Sequence, residues 1–247
     1  MSAPDLRILS IGCSCINRFQ FDFFIERHPE YADCFPRGLF DWNITTLEVS
    51  LNVLRRAAAS DLMPVLGDGE LYYLAQQTLI FNTALPGFSF FHEATPQQII
   101  DDQTRRAAFL GKIAHLAEPF VAPPAGVRTH LVWSNLQPNL PDTVENVFDW
   151  ETFQLTPARY AEVKTLGRRI YGVDTTFSFL STPQDMQASL ADREDVHCFD
   201  IPRSEAFKGD DDLYEEVLMQ AILAEPVPVP HAHRSWWAGL LGRFGKR

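Results

Sequence analysis

The chain has 247 residues, enough for one well-buried α/β core with a small appendage and hardly enough for two full domains. Its 32 acidic residues outnumber 21 basic ones, giving a formal charge of -11 with no long basic stripe in the body, so nucleic acid is not an expected partner. Four cysteines (Cys13, Cys15, Cys34, Cys198) are too few and too irregularly spaced for a disulfide framework, and without a CxxC pair they suggest no zinc ribbon.

No metal and no cofactor is therefore expected. The N-terminus lacks a basic segment followed by a long apolar run, and no stretch approaches the roughly 20 apolar residues of a membrane span. A cytoplasmic location is expected, and four reduced cysteines suit it.

Arg7–Ile11 reads as a buried strand that runs into a turn at Gly12. Cys15–Arg27 follows as a helix with Phe19, Phe23 and Phe24 toward a core. Thr45 or Thr46 is placed to cap a helix through Arg56, with Leu47, Leu51 and Leu54 on one stripe. Residues 61–94 read as an irregular insert, with short strands at Leu71–Leu74, Thr78–Asn82 and Phe88–Phe91 broken by glycine and proline. A long helix is expected from Thr95-Pro96 to Ala117, since proline suits the first helical position.

Strands and helices then alternate. Strand Thr129–Ser134 precedes helix Pro157–Tyr171, strand Thr176–Leu180, helix Pro183–Leu190, strand Val196–Ile201 and helix Asp211–Leu223. Such alternation predicts an α/β fold of three layers, a mostly parallel sheet with helices on both faces, Rossmann-like or SGNH-like. Residues 1–224 are expected to form this domain, 225–233 a proline-rich linker, and 234–247 a short amphipathic basic segment.

Open parallel sheets bind ligands beyond the carboxyl ends of their strands. Gly12–Cys15, Ser134-Asn135-Leu136-Gln137 and Ser181-Thr182 all fall at such ends. Cys15 also falls where a helix begins, and unsatisfied N–H groups there favour a thiolate and supply donors for an oxyanion. The alternative is a small hydrophobe packed under a turn.

Ser10-Ile11-Gly12-Cys13-Ser14-Cys15, Leu39-Phe40-Asp41-Trp42 and Phe90-Phe91-His92-Glu93 with Arg105-Arg106 resemble a family of bacterial proteins described as papain-like cysteine peptidases. The resemblance covers roughly the first half of the chain. It implies Cys15 as nucleophile, His92 as general base and Asp41 as the residue that orients it, with Ser14, Trp42 and Glu93 around the substrate. Ser14 stands where that family commonly has asparagine, and Glu93 where it commonly has aspartate.

The bland readings stay open beside these. His92 is then a strand-end histidine bonded to backbone, and Asp41 caps a turn. Arg105 either binds a phosphate or carboxylate or pairs with Asp101 or Asp102 one turn earlier. Ser134-Asn135 resembles the oxyanion asparagine of SGNH-type esterases, although the glycine-aspartate-serine nucleophile turn is absent.

Three functions follow as expectations. The first is a cysteine hydrolase or acyltransferase acting on a small molecule, peptide or glycan. The second is a cell-envelope or polysaccharide-modifying transferase that uses an acyl carrier such as coenzyme A. The third is a non-catalytic binding module in which Cys15 is structural. Trp236, Trp237, Leu240, Leu241 and Phe244 share one helical face beside Arg234, Arg243, Lys246 and Arg247, so 234–247 is expected to contact the inner membrane surface or a protein partner.

Overall fold

Side-chain alternation along three strands decides how the layers stack. The computed structural model describes residues 5–68, 70–74, 79–90, 96–141, 147–201 and 211–224. In chain order its first half contains β1 (Leu6–Ser10), α1 (Ile16–Arg27), β2 (Asn43–Ile44), α2 (Leu47–Ala58), α3 (Leu62–Asp68), β3 (Leu71–Leu74), β4 (Leu79–Asn82) and β5 (Leu85–Phe90). The second half contains α4 (Pro96–Asp101), α5 (Gln103–Val121), β6 (Arg128–Ser134), α6 (Pro157–Tyr171), β7 (Thr176–Ser181), β8 (Val196–Cys198) and α7 (Asp211–Leu223).

Strands β1, β6, β7 and β8 lie in that order in a parallel sheet. Leu9 lies beside Leu131, and Leu131 beside Phe177. Together with Trp133 and Phe179 these side chains pack on one face against Leu51 and Leu54 of α2, Ile113 of α5 and Val163 of α6. The intervening residues Leu6, Ile8, Val132 and Leu180 pack on the other face against Phe21 and Phe24 of α1 and Val217 and Leu218 of α7. The period of two, read on both faces, is what a sheet covered by helices on each side requires. Each such fully buried side chain contributes about 1.5–3 kcal/mol of transfer free energy.

Gly167 lets α6 approach the sheet. A Cβ there would lie 2.8 Å from Phe177 Cε1 and 2.9 Å from Leu131 Cδ1. The absence of a side chain is a packing requirement at this crossing.

Four antiparallel strands form a second sheet in the order β2-β5-β4-β3. It meets the first sheet where the Thr45 amide donates to the Cys13 carbonyl at 2.7 Å. The chain is therefore an α/β fold with parallel and antiparallel sheets flanked by helices. Among the described residues no helix is long and apolar enough to cross a membrane.

Several expectations are corrected. The described residues between 61 and 90 hold the helix α3 and the short strands expected there, which pair as an antiparallel meander rather than lying in an irregular insert. The long helix from 95 to 117 divides at Asp102, whose carboxylate accepts from the amides of Thr104 at 2.8 Å and Arg105 at 3.1 Å and so caps α5. Pro183–Leu190 does not form a helix. The Asp185 carbonyl accepts from Leu155 N, and Gln187 N donates to Leu155 O, which commits that backbone to a bridge and leaves only a 3-10 turn at Ala188–Leu190.

Strand Val196–Ile201 stops at Cys198. On α1 the buried aromatics are Phe21 and Phe24, while Phe19 and Phe23 are half-buried. The cap of α2 is Thr46, whose hydroxyl accepts from Val49 N at 3.1 Å. The linker at 225–233 and the segment 234–247 lie outside the described residues.

Candidate functional site

The carboxyl end of β1 is a knot of mutually satisfied polar groups. Gly12 has φ +105, and a Cβ on it would lie 2.7 Å from Thr45 Oγ1 and 2.8 Å from Ser50 Oγ. Only glycine takes both that backbone and that space. The turn lets Gly12 O accept from Ser134 N at 3.1 Å and lets Cys13 N donate to Ser134 O at 3.0 Å, which extends the β1–β6 pairing past the strand end. The Cys13 thiol donates to the same carbonyl at 2.8 Å. Burial pushes that thiol well above its ordinary pKa, so it stays protonated.

Asn17, fully buried on α1, closes the knot. Its amide nitrogen lies 2.8 Å from Gly12 O, 3.0 Å from Ser10 Oγ and 3.3 Å from Val132 O, and its carbonyl accepts from the Tyr214 hydroxyl at 3.3 Å. Tyr214 also hydrogen-bonds Ser134 Oγ, which accepts from Leu136 N at 3.2 Å. One asparagine thus ties β1, β6, α1 and α7 together. Sequence reasoning missed Asn17 and Tyr214, and the available signal was an amide one residue into a helix rich in aromatics.

Cys15 is the N-cap of α1. It is buried, 7 % exposed, and desolvation pushes its thiol up to about 11, only partly offset by a backbone hydrogen bond. The helix terminus therefore does not win against burial here, and the described surroundings hold Cys15 as a thiol at neutral pH. Ser14 is also buried and accepts the Ile16 amide through its hydroxyl at 3.3 Å, which occupies one of the donors of the expected oxyanion hole.

Asp41 comes to the first turn of α1. Its carboxylate accepts from Gly38 N at 3.0 Å and lies 3.8 Å from Arg18 Nη1, three residues after Cys15. Both groups are buried. Desolvation raises the Asp41 pKa to about 6, with the Gly38 amide and the Arg18 guanidinium opposing the rise. Arg18 also bonds Asp22 through Nε at 2.9 Å and the Phe35 carbonyl at 3.3 Å.

Trp42 packs edge-on against Phe19 at 5.6 Å, under the guanidinium of Arg37. Arg105 lies on the exposed side of α5, where it bonds Gln98 and approaches Asp102 at 4.0 Å. His92 and Glu93 lie outside the described residues. The chain reaches them from Phe90, which pairs with Asn43, two residues from Asp41.

One strand further along the sheet a cavity of about 350 Å³ opens at the carboxyl ends of β6 and β7. Asn135, Gln137, Thr182 and Asp185 line it together with Trp150. Asn135 donates to Phe153 O at 3.2 Å, and Gln137 donates to Asn139 Oδ1 at 2.6 Å. Among the described residues the carbonyl oxygens of both amides, and the nearby Ser181 hydroxyl, have no hydrogen-bond partner. Gln137 and Thr182 belong to polar clusters visible in the sequence; Trp150 comes from a 3-10 turn before α6 and Asp185 from three residues beyond Thr182, and neither was singled out in the sequence.

Among the described residues no group of three or more His, Cys, Asp or Glu side chains is placed to hold a metal ion. Compared with protein-family models, curated proteins and solved structures, the chain matches none.

Proposed function

We propose that this protein is a cysteine-dependent hydrolase or acyltransferase whose nucleophile is Cys15 and whose general base is His92, in keeping with the resemblance to papain-like cysteine peptidases. The observation that carries the reading is position: a glycine turn takes the chain from the end of β1 to Cys15 at the N-cap of α1, on the edge of a parallel sheet where ligands bind. The topology is read as SGNH-like, with cysteine in the nucleophile turn and Asn135 at the end of the neighbouring strand.

Chemistry at a thiol held near pKa 11 requires a base. In this reading His92 takes the Cys15 proton as sulfur attacks the acyl carbon. The leaving alcohol or amine receives that proton, and water or an acceptor hydroxyl then releases the acyl group from the thioester. Asp41, held through Oδ2 by the Gly38 amide and near Arg18, is the residue that orients the histidine in this reading. The same proposal keeps the protein in the cytoplasm, with 234–247 on the inner membrane or a partner. Equal liposome flotation with and without 231–247 would remove that part.

The test is hydrolysis of p-nitrophenyl acetate by the full chain. Cys15→Ala and His92→Ala are each expected to lower kcat/KM by about 100-fold or more, the scale of losing a nucleophile or its base. Unchanged rates in both would overturn the reading. The burial of Cys15 and its raised pKa favour a second reading, a non-catalytic binding module in which this cysteine is structural.

A further inference from the structure

The sheet edge opposite Cys15 is incomplete. In the order β1-β6-β7-β8 the outer strand is β8, and it pairs with β7 only from Phe179 onward, opposite Val196. The odd residues of β7 face β8: Phe179 N donates to Asp195 O, and Ser181 O accepts from Phe199 N. Phe177, two residues earlier, therefore turns its own N–H and C=O to that side. Neither group has a partner among the described residues. The Arg193 carbonyl, which a longer β8 would offer to Phe177, accepts from Val196 N at 3.0 Å instead.

A cleft of about 860 Å³ opens at this place, lined by Phe177 and the start of β7. Lys164 and Arg168 of α6 form one wall, and Val217 and Ala221 of α7 form the other. Phe177 is 5 % exposed, and buried backbone groups of native proteins are paired, so this edge calls for a further strand.

The chain itself supplies one. Helix α7 runs from the carboxyl ends of the strands toward their amino ends: Tyr214 near its start bonds Ser134, the last residue of β6, while Ala224, just past its end, lines the cleft beside Thr175 and Thr176. Glu225-Pro226-Val227-Pro228-Val229-Pro230 comes next in the sequence. A residue before proline is held extended, and here every second residue precedes one. In an extended chain successive N–H groups point to opposite sides, so the amides of Val227 and Val229 point one way and the prolines, which have none, the other. Such a strand pairs along one side only, the pattern of an edge strand. Three extended residues span about 10 Å, enough to carry Val227 from Ala224 into the cleft.

We propose that residues 225–230 add to β7 as a short parallel edge strand, with Phe177 N–H donating to Val227 O and Val229 N–H donating to Phe177 O. Pro228 then lies beside Phe177 with its nitrogen turned outward, and the two valines fall on the face that Leu180 and Val217 share. The docking is independent of the thiol, and 234–247 departs from the sheet edge opposite Cys15.

The test is NMR on the full chain. Nuclear Overhauser contacts are expected between the Phe177 amide proton and residues 227–229, and Val229→Pro should speed hydrogen exchange at the Phe177 amide by about 10-fold or more. Pro228→Ala, which alters the outward side, should keep the contacts. Cys15→Ala should keep them too, which separates this inference from the catalytic one. Three results would overturn the proposal: no contacts in the unaltered protein, Phe177 exchange that Val229→Pro leaves unchanged, or contacts that vanish on dilution, which would assign the strand to a second copy of the chain. The first and third are read on the unaltered protein, so they decide the matter even where Val229→Pro fails to fold.

Discussion

Two neighbouring parts of the same sheet edge treat their polar groups in opposite ways. At the end of β1 the Gly12 carbonyl, the Cys13 amide and thiol, and the Asn17 side chain all find partners within the protein. One strand over, at the ends of β6 and β7, the side-chain oxygens of Asn135, Gln137 and Ser181 find none among the described residues. The first arrangement is what a fold needs to hold two strands and two helices in register. The second leaves buried acceptors without donors, at a cost of roughly 1–3 kcal/mol for each group. A conspicuous motif and an unsatisfied site thus sit side by side, and the motif owes much of its form to architecture.

Breaking the satisfied side should be expensive. Asn17→Leu removes the shared partner of Ser10, Gly12, Val132 and Tyr214, and a loss of about 4 kcal/mol is expected from several buried groups left unbonded. Gly12→Ala adds a methyl 2.7 Å from Thr45 Oγ1 on a backbone with φ +105, and a similar loss is expected. Urea unfolding measures both. A loss below about 1 kcal/mol in either would show that the knot yields more easily than its hydrogen bonds imply.

Asp41 gives the next largest effect, visible only through pH. Its folded pKa of about 6 exceeds the ordinary 3.8, so the folded state binds a proton more tightly than the unfolded chain. Stability from this group is then fully present below pH 3.8 and declines as pH rises through about 6, by up to about 3 kcal/mol for a carboxyl this deeply buried. Asp41→Asn, which keeps an acceptor for Gly38, should remove that component of the decline in a series of Tm against pH. Identical slopes in the two proteins would show that Arg18 compensates the carboxylate fully.

The smallest effect belongs to the unsatisfied side. Gln137→Met gives up one hydrogen bond to Asn139 and an oxygen with no partner among the described residues, so stability should change by less than about 1 kcal/mol. A loss as large as that of Asn17→Leu would erase the contrast between the two edges.

The parts of the fold that could be read from sequence are those governed by local rules. Helix Pro157–Tyr171 begins with Thr156 as N-cap and proline in its first turn and ends at Gly172, and those signals put its bounds where they are found. Leu71–Leu74 is bounded as expected. The other two strands of its meander were also expected, but their pairing was hidden, because antiparallel pairing depends on contacts across the chain rather than along it. Pro183–Leu190 failed as a helix for a similar reason: its backbone is taken by Leu155, about 30 residues earlier.

The candidate site divides along the same line. Cys15 at the start of α1 and Asn135 at the end of β6 were legible as ends of elements. Asn17 and Trp150 acquire meaning only through the partners that folding brings to them.

The proposed nucleophile is best tested by the pH dependence of alkylation at each cysteine, read by peptide mass spectrometry in the wild type and in His92→Ala, with exposed Cys198 as the internal reference. The account predicts that Cys15 is modified at neutral pH, and that His92→Ala delays its modification toward the pH of about 11 set by burial. Cys15 that stays unmodified until about pH 11 in both proteins would contradict it and leave this cysteine a structural one.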